Sequence, residues 1–158
     1  MHPNQATLIR FYSAFNVKDA QTMAACYHAE ASFGDPVFTN LQGEQIGMMW
    51  KMLCLQAKTL TIEAKNIQAN DKTGSADWTA IYAFGKTKRR VHNKIQARFV
   101  FKEGKIIEHT DVFDFWKWSR MALGPMGLLL GWNPVVRVNV QRQAMANLTN
   151  FTLKTKNA

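Results

Sequence analysis

Lys105-Ile106-Ile107-Glu108-His109-Thr110-Asp111-Val112-Phe113-Asp114 decides how the rest of the chain is read. Alternate residues of a strand point to the same face, so Ile107, His109, Asp111 and Phe113 share one side. A histidine and an aspartate thus stand side by side on a face that is otherwise apolar. An unpaired buried charge is costly. The two groups therefore either satisfy each other in a core or line a cavity that uses them.

Upstream of this strand the period is also 2. Leu60, Ile62 and Ala64 alternate with polar residues. Ala76, Trp78, Ala80, Tyr82 and Phe84 form one face of a second strand, and Asn93, Ile95, Ala97, Phe99 and Phe101 one face of a third. The connections are short, with a basic turn at Lys86 to Arg90 and a tight turn at Glu103-Gly104, so an antiparallel meander is predicted. Before the strands the period is 3.6. Leu8, Phe11, Tyr12 and Phe15 make an apolar stripe on a helix over 5–16, with Asn4 as its expected cap. Asp19 caps a second helix that turns Met23, Cys26 and Tyr27 inward. A third helix over 44–58 buries Ile46, Met49, Trp50, Leu53 and Ala57. Pro36 keeps Asp35 out of helix, so 31–38 is extended. Helices first and strands afterwards define α+β rather than α/β.

Beyond Asp114 the sequence returns to helix. Phe115 to Leu123 is helical, Gly124-Pro125 breaks it, and Asn133-Pro134 opens a last helix. Val136, Val140, Ala144, Leu148 and Phe151 mark its apolar face.

The chain has 158 residues and a net charge of +9, which fits one domain with a substantial core. All eleven acids lie at or before Asp114, while the last 44 residues hold six bases: Lys117, Arg120, Arg137, Arg142, Lys154 and Lys156. No nucleic-acid recognition motif accompanies these bases, and they are read as a solvated surface. Residues 1–20 lack a signal peptide pattern, and no run reaches the length that spans a bilayer. Cys26 and Cys54 have no ligand spacing and read as buried thiols. A cytoplasmic location is expected, with no metal and no phosphate-cradling glycine loop.

Four motifs follow one another: Phe11-Tyr12-Ser13-Ala14-Phe15-Asn16-Val17-Lys18-Asp19, Tyr27-His28, Phe33-Gly34-Asp35-Pro36-Val37 and Gly104-Lys105-Ile106-Ile107-Glu108-His109. In this order they resemble the nuclear transport factor 2-like (NTF2-like) superfamily, and more narrowly its SnoaL-like branch, which includes polyketide cyclases. Ketosteroid isomerases and limonene-epoxide hydrolases are relatives. The resemblance implies a cone-shaped, curved antiparallel or mixed sheet wrapped by N-terminal helices, a cystatin-like α+β barrel. It also implies a deep apolar pocket, a homodimer formed through the outer sheet face, and no organic cofactor. Residues 1–114 form this core, and 115–158 a helical extension packed on the same domain.

The resemblance points to residues as well. Asp35 matches the proton-moving aspartate of the isomerases. Their two oxyanion donors fall at Phe11, beside Tyr12, and at Ala97, so isomerase activity on ketosteroids is not expected. Asp111 resembles the hydrolase aspartate, but no arginine stands between Ser75 and Phe84 to orient it. The expected catalytic set is therefore Asp35, His109 and Asp111. Each has an alternative: Asp35 as a turn residue bonding local amides, and His109–Asp111 as a structural pair.

Tyr12, Trp50, Trp78, Tyr82, Phe99 and Phe113 would line the pocket, and Asn93 or Tyr82 would polarise a substrate oxygen. The expected function is cofactor-free acid–base chemistry of an isomerase, cyclase or hydrolase on a small hydrophobic molecule. The alternative is a non-catalytic binding or interaction module. The extension is expected to fold over the cone mouth or the dimer seam, with Gly124, Gly127 and Gly131 as hinges. Membrane-surface contact by its aromatic and basic residues is the lesser reading.

Overall fold

A computed structural model describes residues 1–158. Helix α1 (Pro3–Asn16) buries Leu8, Phe11, Tyr12 and Phe15 in one stripe. Its cap is His2 rather than Asn4: His2 Nδ1 accepts the Asn4 amide at 3.1 Å, with Pro3 in the first turn. Proline lacks an N–H and fits that position. Asn4 is thereby released to donate to the carbonyls of Asn70 and Asp71, at 2.9 and 3.2 Å. Asp19 caps α2 (Ala20–Ala25) as predicted.

Strand β1 (Tyr27–Gly34) follows and pairs with the short β2 (Leu41–Gln42). Helix α3 (Glu44–Gln56) buries Ile46, Met49 and Trp50, ending slightly before the expected Lys58. Then come β3 (Thr61–Ala69), β4 (Thr73–Ala83), β5 (Arg90–Lys102) and β6 (Lys105–Val112). These four form the predicted antiparallel meander. The sheet order is β2-β1-β6-β5-β4-β3, and β1 runs parallel to β6. The sheet is therefore mixed and open rather than a closed barrel. A crossover that includes α3 separates the parallel partners in sequence, as a parallel pair requires.

The alternation read from the sequence holds for His109 and Asp111 but slips at the start of β6. There Ile106 is fully buried and Ile107, expected inward, is half-buried, because the register against β5 shifts. In β5 every inward residue from Val91 to Phe101 is buried, and every outward one but Val100 is exposed. One cluster fills the concave side, joining α1, α2 and α3 to the sheet through residues such as Phe11, Phe15, Trp50, Trp78 and Phe99.

After β6 come α4 (Phe115–Leu123), α5 (Pro125–Leu130) and α6 (Pro134–Lys156). Asp114 and Asn133 cap α4 and α6. Phe115, Trp118 and Ala122 of α4 form a second small core with Val91. Leu148 of α6 is buried in the main cluster.

Gly127 and Gly131 are not hinges. A β-carbon at Gly127 would overlap the Ser119 carbonyl, and one at Gly131 would overlap the Ser119 hydroxyl. Both glycines are there so that α5 can pack against α4 at backbone distance.

A candidate acid–base site at the mouth of the cone

His109 lies at the centre of the inner face, paired with Phe99 of β5 and Phe33 of β1. Both rings pack on the imidazole, at 4.3 and 4.9 Å between centroids. His109 is 1% and Asp111 3% exposed. His109 Nε2 meets Asp111 Oδ1 at 2.9 Å, and Nδ1 meets Tyr27 Oη at 2.6 Å. Trp50 Nε1 donates to Tyr27 Oη at 3.0 Å, and Trp78 Nε1 to Asp111 Oδ1 at 3.3 Å.

One proton arrangement satisfies this whole chain. Trp50 donates to Tyr27, Tyr27 to His109 Nδ1, and His109 Nε2–H to the Asp111 carboxylate, which also takes the Trp78 proton. The pair predicted from alternation is therefore real and enclosed. Each ring nitrogen of His109 has a protein partner, and the imidazole holds Asp111 in place.

Tyr27 is the member that sequence reasoning missed. It was counted on a helical face, but it opens β1 and points inward in phase with Ala31 and Phe33. Trp50 and Trp78, expected only as aromatic wall, also act as hydrogen-bond donors.

Asp35 stands apart from that chain, just after β1. Its Oδ1 accepts the amides of Val37 and Phe38, at 2.7 and 2.6 Å. The turn reading is thus correct as far as it goes. No protein group bonds the other oxygen, and the side chain is half-buried. Burial pushes its pKa from 3.8 up to about 7; the two amide bonds work against that rise, and the Asp111 charge adds to it. Desolvation outweighs hydrogen bonding here.

Tyr82 neighbours Asp35, whose charge helps burial raise the phenol pKa. Tyr82 Oη accepts Trp118 Nε1 of α4 at 2.8 Å, leaving its own proton to donate. Asn93 is buried opposite Ala80, diagonal to Tyr82 on the inner face. Phe113 is half-buried between the two cores. Tyr12 Oη is fully enclosed with no protein partner, and the nearby Asp111 charge adds to the burial that raises its pKa.

The structure thus separates two groups. Tyr12, Trp50, Trp78, Phe99, His109 and Asp111 form the packed interior. Asp35, Tyr82 and Phe113 lie toward α4, where Val37 packs against its small core, and Asn93 sits on the strand beside Tyr82. The interior is occupied by side chains where a deep apolar pocket was expected. Two open cavities, of about 640 and 470 Å³, lie on the outer sheet face, lined mainly by polar residues such as Ser75, Arg98 and Thr110, or Asp77, Lys94 and Gln96. No three His, Cys, Asp or Glu side chains gather as a metal site.

Among curated proteins no sequence matches this chain significantly. Solved structures show the fold. An NTF2-like protein of unknown function from Burkholderia pseudomallei superposes with a TM-score of 0.67 at 15% identity, covering 77% of this chain and 98% of that one. A putative polyketide cyclase from Silicibacter sp. gives 0.65 at 17% identity, covering 75% and 94%. An LEH-like epoxide hydrolase from M. tuberculosis gives 0.62 at 19% identity, covering 85% and 95%. The mixed sheet with helices on its concave face is therefore the cone fold of NTF2-like proteins. The SnoaL-like domain model matches residues 8–109, and the chain belongs to that family.

Proposed function

We propose that the protein is a cofactor-independent acid–base enzyme acting on a small hydrophobic carbonyl compound held at the cone mouth. One observation carries this reading: Asp35 has one oxygen fixed by two backbone amides, the other free, and a pKa raised to about 7. A carboxylate of that basicity removes a proton at neutral pH and gives it back. Asp35 takes a proton from the carbon beside the substrate carbonyl, and the electron pair moves onto the carbonyl oxygen. Tyr82 O–H or the Asn93 amide donates to that oxygen. Asp35 then returns the proton to the same carbon or another, giving exchange or isomerisation. Asp111, fixed by His109 and Trp78, supplies the negative field that helps keep Asp35 basic.

The test is deuterium incorporation into a panel of cyclic ketones in heavy water, followed by NMR. The rate should rise through about pH 7 as Asp35 ionises. Asp35→Asn should slow it about a hundredfold or more. Exchange at the wild-type rate in that variant overturns the assignment.

A second reading, a non-catalytic binding module, draws on the packed interior and on Trp118 covering Tyr82. It predicts a ketone held in slow exchange with no deuterium incorporated.

A further inference from the structure

A different part of the molecule bears on where the protein works. Helix α5 is exposed around most of its circumference: Met126 is 62%, Leu128 50% and Leu129 67% exposed, and only Gly127 faces the protein. Trp132 and Val135, 71% and 64% exposed, continue the apolar surface into α6. This is a protruding knob rather than a groove, so it offers no slot for a peptide. An apolar surface of this kind marks an interaction site.

The basic hairpin between β4 and β5 is brought to the same place. Thr87 Oγ1 donates to the Ala122 carbonyl, and Arg89 Nε to the Met121 carbonyl at 3.0 Å. The Arg89 guanidinium lies directly against Gly124, where α5 begins. Lys86, Lys88 and Arg90 are exposed beside it. Arg120 stacks on Trp116 at 4.6 Å, and Arg137 on Phe115 at 5.2 Å. Two basic stretches far apart in sequence thus flank one apolar knob, and no acid follows Asp114.

We infer that α5 and the start of α6 dock the protein on anionic lipid bilayers, with Met126, Leu129 and Trp132 entering the interface and Lys86 and Lys88 meeting lipid phosphates. Tryptophan favours the bilayer interface, and basic residues beside an apolar face add attraction to anionic lipid. A second copy of the chain is a poorer occupant, because it would set the same acid-free basic surface against itself.

Co-sedimentation with vesicles tests this. The wild type should bind phosphatidylglycerol–phosphatidylcholine vesicles, release in high salt, and ignore pure phosphatidylcholine. Lys86→Gln with Lys88→Gln should weaken binding about 25-fold, or about fivefold for each lysine. Leu129→Gln with Trp132→Gln should abolish it. All these side chains are exposed, and near-UV circular dichroism confirms that the variants remain folded. Equal binding by wild type and the Leu129/Trp132 variant overturns the proposal, as does no preference for anionic lipid. A wild-type dimer that this variant dissolves also overturns it and assigns the surface to a second copy.

Discussion

Replacing Asp35 by asparagine should change how stability depends on pH. The asparagine side-chain oxygen still accepts the amides of Val37 and Phe38, so the turn is kept and only the titration is lost. In the wild type the native carboxyl holds its proton up to about pH 7, whereas the reference carboxyl releases it near 3.8. Between those values the native state binds more protons than the unfolded chain. Stability therefore falls as pH rises through this window and levels off above it. A span of about three pH units at about 1.4 kcal/mol each is about 4 kcal/mol. Asp35 is partly exposed, so solvent screening reduces this to about 2 kcal/mol. Urea unfolding at about pH 5 and about pH 8 covers about two thirds of this window: the wild type should lose about 1.2 kcal/mol between them and Asp35→Asn almost none of it. Parallel pH profiles for the two proteins would show that Asp35 is not desolvated, and the proposed base would go with it.

The other expectations concern groups around Asp35. Tyr27→Phe removes the acceptor for Trp50 and the donor to His109, and should cost about 2 kcal/mol in urea unfolding because buried nitrogens lose their partners. Asp111→Asn keeps an acceptor for His109 but removes a charge, so the Asp35 pKa should fall, as a carboxyl carbon NMR titration would read; an unchanged midpoint would disconnect the two carboxylates. Gly127→Ala drives a methyl into the Ser119 carbonyl and should cost about 2 kcal/mol or more; a neutral result would mean α5 is not packed as described.

Much of the fold was legible because burial here follows simple periods. Asn93, Ile95, Ala97, Phe99 and Phe101 of β5 were read from alternation, and Leu8, Phe11, Tyr12 and Phe15 of α1 from 3.6-residue spacing. The His109–Asp111 pair was legible for the same reason: two ionisable groups in phase on an apolar face need partners. Their partners were not legible. Tyr27, Trp50 and Trp78 reach the pair from β1, α3 and β4, and no local period encodes a contact between distant elements. The parallel pairing of β1 with β6 was equally hidden, since it depends on the path through α3. The hinge reading of Gly127 and Gly131 failed because glycine serves close approach as readily as flexibility. Sequence cannot distinguish these uses without the Ser119 backbone beside them.

The extension after Asp114 connects the fold to the chemistry. Asp35 owes its basicity to desolvation, yet it follows the end of a strand and precedes a turn, where a carboxylate would ordinarily be solvated. What covers that turn comes from α4 and α6: Val37 packs against the core of Phe115, Trp118 and Ala122, and Gln141 donates to the Pro36 carbonyl at 3.0 Å. The Trp118–Tyr82 bond fixes α4 over the same region. Trp118→Ala should therefore let water reach Asp35 and lower its pKa, although the two side chains share no hydrogen bond. Trp118→Phe keeps the apolar cover and loses only the bond to Tyr82, so it should leave the Asp35 midpoint nearly in place. Equal titration of Asp35 in wild type and Trp118→Ala would locate its desolvation in the family core. A fall in Trp118→Ala alone would make the proposed base a property of this chain's own helical extension.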